Sequence, residues 1–243
     1  IKVTRPGYAL NATVGGAITY DDAEMKVATM AAGASLDLSE KSAGVTRRVK
    51  CESSDGSAIV TTYWVDGNQV PMDAAGEAWM AKSIPSLLRA TEDPKVRVAR
   101  IMKRGGVDAV FTEIQAIEGN YNRSRYLAVL LAEPTLTDAQ FDRAAQMVGT
   151  ISSSFDRRNV LSAALAKSTD PARQLALLAA AKGISSDFDA TELLVGAIPV
   201  LAPDQQVWDA WLAAAAPTPN AFTGRDAHAR TVRGISVLFA RAD

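Results

Sequence analysis

Ile151-Ser152-Ser153-Ser154-Phe155-Asp156-Arg157 leads to Leu161, and the same pattern stands twice more in the chain. Ile117-Glu118-Gly119-Asn120-Tyr121-Asn122-Arg123 leads to Leu127, and Ile184-Ser185-Ser186-Asp187-Phe188-Asp189-Ala190 leads to Leu194. The aromatic residue recurs at 121, 155 and 188, spacings of 34 and 33. A period of that length marks a repeated helical hairpin. Phe222 falls another 34 residues along, where little else of the pattern survives, as expected of a terminal unit.

Each position has a chemical role in such a unit. Asn120, Ser154 and Asp187 are residue types that cap a helix start, their side chains accepting from its orphan amides. Asn122, Asp156 and Asp189 follow in the first turn, where the two aspartates complement the positive end of the helix dipole. Ile117, Ile151 and Ile184 end the preceding helix. Three and seven residues before them stand Ile114, Val148, Ala181 and Val110, Ala144, Leu177, one apolar face each time. In the following helix Leu127, Leu161 and Leu194 share a face with Leu131, Leu165 and Ile198.

Pro134, Pro171 and Pro203 punctuate the way into the next unit. One such hairpin cannot bury its own apolar face, whereas stacked neighbours can. The spacing predicts a solenoid-like stack with units near 107–134, 138–168 and 171–200 and a degenerate unit at 204–241. Tyr121, Phe155 and Phe188 are expected as wedges in its core. The Trp-Leu-Gly-Tyr signature of tetratricopeptide repeats is missing, so the reading is a generic α/α repeat.

Toward the N-terminus the period changes from helical to alternating. Residues 8–14, 17–20, 35–38, 45–51 and 58–64 alternate apolar and polar side chains or are rich in Val, Ile, Thr and Tyr. Turn-forming pieces separate them, and Asp55-Gly56 and Asp66-Gly67 favour type I′ hairpin turns. The stretch 21–34 reads either as sheet or as a helical turn. After Pro71 the helical period begins: Asp73 is an N-cap for residues 74–90, with Pro85 predicting a kink or restart. Asp93-Pro94 opens the next helix and Gly105-Gly106 stops it. The fold class is therefore α+β: a small antiparallel β region over 1–72, then an all-helical α/α-hairpin repeat array over 73–243.

Composition narrows the function. The 243 residues are 48% hydrophobic and 22% charged, an ordinary globular balance. Twenty-six basic against 27 acidic residues leave a net charge of −1, without the basic excess that nucleic-acid binding demands. The single cysteine, Cys51, forms no intrachain disulfide and reads as a small buried hydrophobe. The apolar run 193–202 is interrupted by Pro199 and too short to span a membrane. The chain starts at Ile1, as expected of a trimmed or processed product.

Catalytic signatures are missing too. One histidine, His228, cannot supply a two-histidine zinc motif, and it reads as a surface or capping residue. No phosphate loop, dinucleotide fingerprint or serine-nucleophile motif occurs. No metal or cofactor is expected. Paired carboxylates stay open, because their proximity is a tertiary matter.

Two patterns remain as candidate binding residues. Arg97, Arg100 and Arg104 stand at i, i+3 and i+7 on one helix with Lys95 and Lys103. They read either as a solvated face or as a docking patch for an acidic partner or anionic headgroup. Trp208 and Trp211 stand three apart, either packing against the last helix or forming an exposed partner-binding patch.

The junction carries a further run: Gly44-Val45-Thr46-Arg47-Arg48, then Tyr63-Trp64-Val65-Asp66-Gly67-Asn68-Gln69-Val70-Pro71, Asp73 and Trp79. Val96-Arg97-Val98-Ala99-Arg100-Ile101 and Arg104-Gly105-Gly106-Val107-Asp108-Ala109-Val110 follow. This run, with Ser186-Asp187-Phe188, resembles the extracytoplasmic tail of some bacterial membrane regulators, including metallopeptidase-type sensors related to the beta-lactam antirepressors. The likeness covers about residues 30 to 200. It implies a periplasmic or extracytoplasmic place, with any peptidase centre in a membrane portion outside this chain.

The leading expectation is a non-enzymatic sensing or interaction module that binds a protein or peptide through the helical repeats. The alternatives are a hydrolase or lyase using carboxylates in a cleft between the halves, and an architectural homo-oligomerisation domain.

Overall fold

A computed structural model of the chain describes residues 1–215. The chain divides into two compact units, one spanning Ile1–Asp93 and one beginning at Pro94.

The first unit is an antiparallel meander with one helix packed on it. Strands β1 (Lys2–Arg5), β2 (Tyr8–Gly15), β5 (Ser35–Ser42), β6 (Val45–Glu52), β7 (Val60–Val65) and β8 (Asn68–Val70) form a six-stranded sheet in that order. A separate hairpin, β3 (Ile18–Tyr20) and β4 (Val27–Met30), is inserted between β2 and β5. Alternation puts Leu10, Ala12, Leu36, Leu38, Val49, Cys51 and Tyr63 on one face, all buried. The register lines Ala12, Leu38, Val49 and Tyr63 into one cross-strand row. Asp66 (φ 49°) and Gly67 (φ 85°) are both left-handed, the conformation a two-residue type I′ turn requires between β7 and β8.

One open alternative is decided here and one expectation is corrected. Within 21–34 the chain forms β4, not a helical turn; the Asp21 carboxylate accepts from the Met25 and Lys26 amides and closes the β3–β4 loop. Asp55-Gly56 is not a two-residue hairpin, since only Gly56 has positive φ. Asp55 instead accepts from the Ser57 amide and hydroxyl, shaping a longer loop.

Helix α1 (Ala74–Thr91) starts at Asp73, whose side chain accepts from the Gly76 amide at 2.7 Å. It runs through Pro85 without restarting; the ring removes one helical hydrogen bond, and Ile84, Leu87 and Leu88 hold the helix by burial. Trp79 stacks on Tyr63 with ring centroids 5.9 Å apart. At Gly76 a Cβ would meet Tyr63 Cε1 at 2.9 Å, so only glycine admits this approach. Because α1 covers the apolar face of the sheet, the unit boundary falls at 93/94 rather than 72/73.

The second unit contains α2 (Pro94–Ala116), α3 (Asn120–Leu131), α4 (Asp138–Gly149), α5 (Ser154–Leu165), α6 (Pro171–Ala181), α7 (Asp187–Ala197), a 3₁₀ turn (Ile198–Val200) and α8 (Gln205–Ala215). Gly106 (φ 68°, ψ −168°) breaks α2 in two, a conformation open to glycine at little cost. Contacts recur down the chain: α3 packs on α5 and α5 on α7, while α4 packs on α6 and α6 on α8. The periodic apolar residues are all in the core, from Val110, Ile114 and Ile117 through Leu127, Leu161 and Leu194 to Ile198. Of the degenerate last unit, only α8 lies among the described residues; Phe222 and His228 lie outside them.

Candidate functional site

Arg97 does not belong to a surface patch. It is 1% exposed, its Nη1 donating to Glu113 Oε1 at 2.5 Å and to the Tyr126 hydroxyl at 3.1 Å. The helix face carrying Arg97 also carries buried Val98 and Ile101, so it turns inward. Arg100 is half-buried and Arg104 exposed, and the three arginines therefore do not present one charged face. Trp211 is likewise a core residue, its indole N–H donating to the Leu194 carbonyl of α7 at 2.8 Å. Trp208 is half-buried and meets Trp211 edge-on at 6.0 Å.

The repeat aromatics reverse the expectation. Tyr121, Phe155 and Phe188 are 64%, 57% and 68% exposed. Each is the second residue of its helix, where the first turn points it away from the core. The wedge positions are occupied by Ile117, Ile151 and Ile184, all buried.

The caps also shift by one residue. Ser153 and Ser186 accept from the Asp156 and Asp189 amides at 3.2 Å, and Gly119 takes the place of a side-chain cap at α3. Asn120 and Ser154, the expected caps, instead stitch one helix start to the next loop. Asn120 Nδ2 donates to Ser152 Oγ at 2.9 Å, and the Ser152 amide donates back to Asn120 Oδ1 at 3.3 Å. Ser154 Oγ lies 3.1 Å from Ser185 Oγ and accepts from the Ser186 amide at 3.3 Å.

Arginines anchor the row from beneath. Arg123 donates to the Ile117 carbonyl at 2.8 Å, and Arg157 repeats that bond to Ile151 at 3.1 Å. Arg157 also donates to the Gly149 and Lys182 carbonyls, and burial pushes its guanidinium pKa below the ordinary value. Other arginines lie against the rings. Arg125 sits 5.6 Å from the Tyr121 centroid. Arg158 sits 4.9 Å from Phe155 and 6.0 Å from Phe188, and is paired with Asp189 at 2.9 Å. The result is a strip of three large rings on hydrogen-bonded helix starts, with guanidinium donors beside them. Sequence reasoning found these residues and gave them the wrong role.

The first unit holds a cavity of about 650 Å³ lined by Met25, Met72, Met80, Ile59 and Cys51 among others. Cys51 is 1% exposed and near the Thr61 hydroxyl (3.7 Å); burial pushes its thiol pKa up, so it behaves as the expected small hydrophobe. Among the described residues no group of three or more His, Cys, Asp or Glu is placed to hold a metal ion. Among them, too, no helix is long and apolar enough to cross a membrane.

Compared with protein-family models, curated proteins and solved structures, the chain returns no match.

Proposed function

We propose that the chain is a non-enzymatic sensing or interaction module that binds a protein or peptide through its helical half, at Tyr121, Phe155 and Phe188. The exposure of those three rings at equivalent positions carries the reading. Single exposed apolar residues are ordinary, but a periodic strip of aromatics is the kind of surface that partners cover. Covering the part of one such ring that is still exposed contributes about 1–2 kcal/mol, so three supply a substantial part of a peptide-binding energy. The likeness to extracytoplasmic tails of membrane regulators supports a bacterial cell-envelope setting.

A random peptide display selection on the full chain tests this. Wild type is expected to enrich a peptide family that a Tyr121→Ala/Phe155→Ala/Phe188→Ala variant, folded by circular dichroism, does not enrich. Equal enrichment by both proteins, or none by either, overturns the proposal.

A further inference from the structure

Where the β3–β4 hairpin, the inner face of the sheet and the start of α1 meet, the first unit is hollow. The cavity of about 650 Å³ lies within that unit alone, its lining running from Asp21 to Ala81. Close-packed interiors leave few voids larger than a water molecule, so a space of this volume is a surface feature with core-like walls. It falls within the range of about 300–1,000 Å³ typical of small-ligand pockets. Nine of its thirteen lining residues are apolar, and the polar four, Asp21, Lys26, Thr61 and Glu77, are all partly or fully exposed. Apolar walls with a few polar groups at the mouth are the usual make-up of such a pocket.

Sulfur sets this cavity apart. It gathers three of the chain's six methionines, Met25, Met72 and Met80, together with the only cysteine. These residues are graded by depth. Cys51 on β6 and Met80 on α1 are buried in the wall, Met72 is half-buried, and Met25 in the β3–β4 loop is 52% exposed. Met72 packs directly on α1, its Sδ lying 2.7 Å from where a Cβ on Gly76 would stand. Ala74, Ala78 and Ala81 line the cavity from α1 with small side chains and leave the space open.

That lining selects the ligand. A methionine side chain is unbranched and polarisable, so it reshapes around what it binds, and its sulfur makes favourable contacts with aromatic rings. A saturated hydrocarbon would gain only the burial of its area. An aromatic ring gains that burial and the sulfur contacts as well. The mouth carries both signs, Asp21 and Glu77 against Lys26, and adds the Thr61 hydroxyl, which suits a neutral polar group better than an ion. We infer that the cavity binds a small neutral aromatic molecule, its ring among Met25, Met72 and Met80 and its polar group at the mouth. The site is independent of the Tyr121, Phe155 and Phe188 strip, which belongs to the other unit.

Isothermal titration calorimetry of the full chain tests this with 2-naphthol and with decahydro-2-naphthol, the same skeleton saturated. The aromatic compound is expected to bind at a single site, about fivefold or more tightly than its saturated counterpart. Ala78→Phe and Ala81→Phe each put a ring into the space from α1, at positions that are exposed and half-buried, and each is expected to abolish binding. Met25→Leu/Met72→Leu/Met80→Leu keeps the apolar lining and removes the thioethers. That variant is expected to bind decahydro-2-naphthol as wild type does, with the aromatic preference reduced to under about twofold. Thermal unfolding by circular dichroism checks the fold of each variant. Absence of saturable 2-naphthol binding to wild type overturns the inference. So does binding that survives both phenylalanine variants, a wild type that binds the two compounds equally, or a leucine variant that keeps the wild-type preference.

Discussion

Replacing Arg97 by methionine would remove a charge that is 1% exposed from a carboxylate, Glu113, whose side chain is itself only 12% exposed. Removing one member of a buried, hydrogen-bonded ion pair costs about 3–5 kcal/mol, because the remaining charge loses a directly bonded counter-charge in a poorly hydrated place. The partial access of water to Glu113 argues for the lower end, about 3 kcal/mol. Tyr126 loses a donor in the same step. For a unit of this size that corresponds to a fall in melting temperature of about 6–12 °C. The assay is urea and thermal unfolding followed by far-ultraviolet circular dichroism, with Glu113→Leu and the Arg97→Met/Glu113→Leu double variant completing a cycle. Apolar replacement of both partners is expected to recover more than half of the loss, since a buried pair is often no better than well-packed hydrocarbon. Single variants that each cost under about 1 kcal/mol, or losses that simply add, would refute the placement of Arg97 as a core ion-pair residue.

Ser153→Ala and Ser186→Ala are each expected to lower stability by about 1 kcal/mol in urea unfolding, because these residues are the observed caps. Asp37 accepts hydrogen bonds from Arg48, which hold its carboxyl below the ordinary value. Its contribution is then complete above the ordinary carboxylate range and lost as pH falls through the lowered folded value. Urea midpoints of wild type should accordingly drop more steeply in acid than those of Asp37→Asn. Cys51 should resist a disulfide-exchange reagent near neutral pH in the native protein and react fully on unfolding, since burial disfavours its thiolate.

How much the sequence reveals depends on whether a residue's role is local. Alternation identified the inner face of β2, β5 and β6, because a pleated strand assigns faces two by two without reference to anything distant. Asp66-Gly67 was legible for the same reason, as positive φ is a property of the dipeptide. The repeat leucines and isoleucines were legible because helical period alone puts them on one face. The caps were blurred by one residue: Ser153 and Ser154 are both good cap types, and only the exit geometry of the preceding helix decides between them. The aromatics were misread because apolar bulk argues for burial, yet the second position of each helix points outward and isoleucines already fill the inside. Arg97 was misread because a row of cations looks solvated until its partner is known. That partner lies sixteen residues on, beyond the break at Gly106.

Helix α1, which reads as the first helix of the array, belongs instead with the sheet. That has a consequence for dissecting the gene. A fragment ending at residue 72 would strip the lid from Leu36, Leu38, Val49 and Tyr63, leaving an oily sheet that should associate with itself on size-exclusion chromatography. A fragment ending at residue 93 keeps that lid and should elute as a small monodisperse species. The natural seam for cutting, swapping or inheriting the two halves lies after the first helix, at Asp93-Pro94, and not at the point where strands give way to helices.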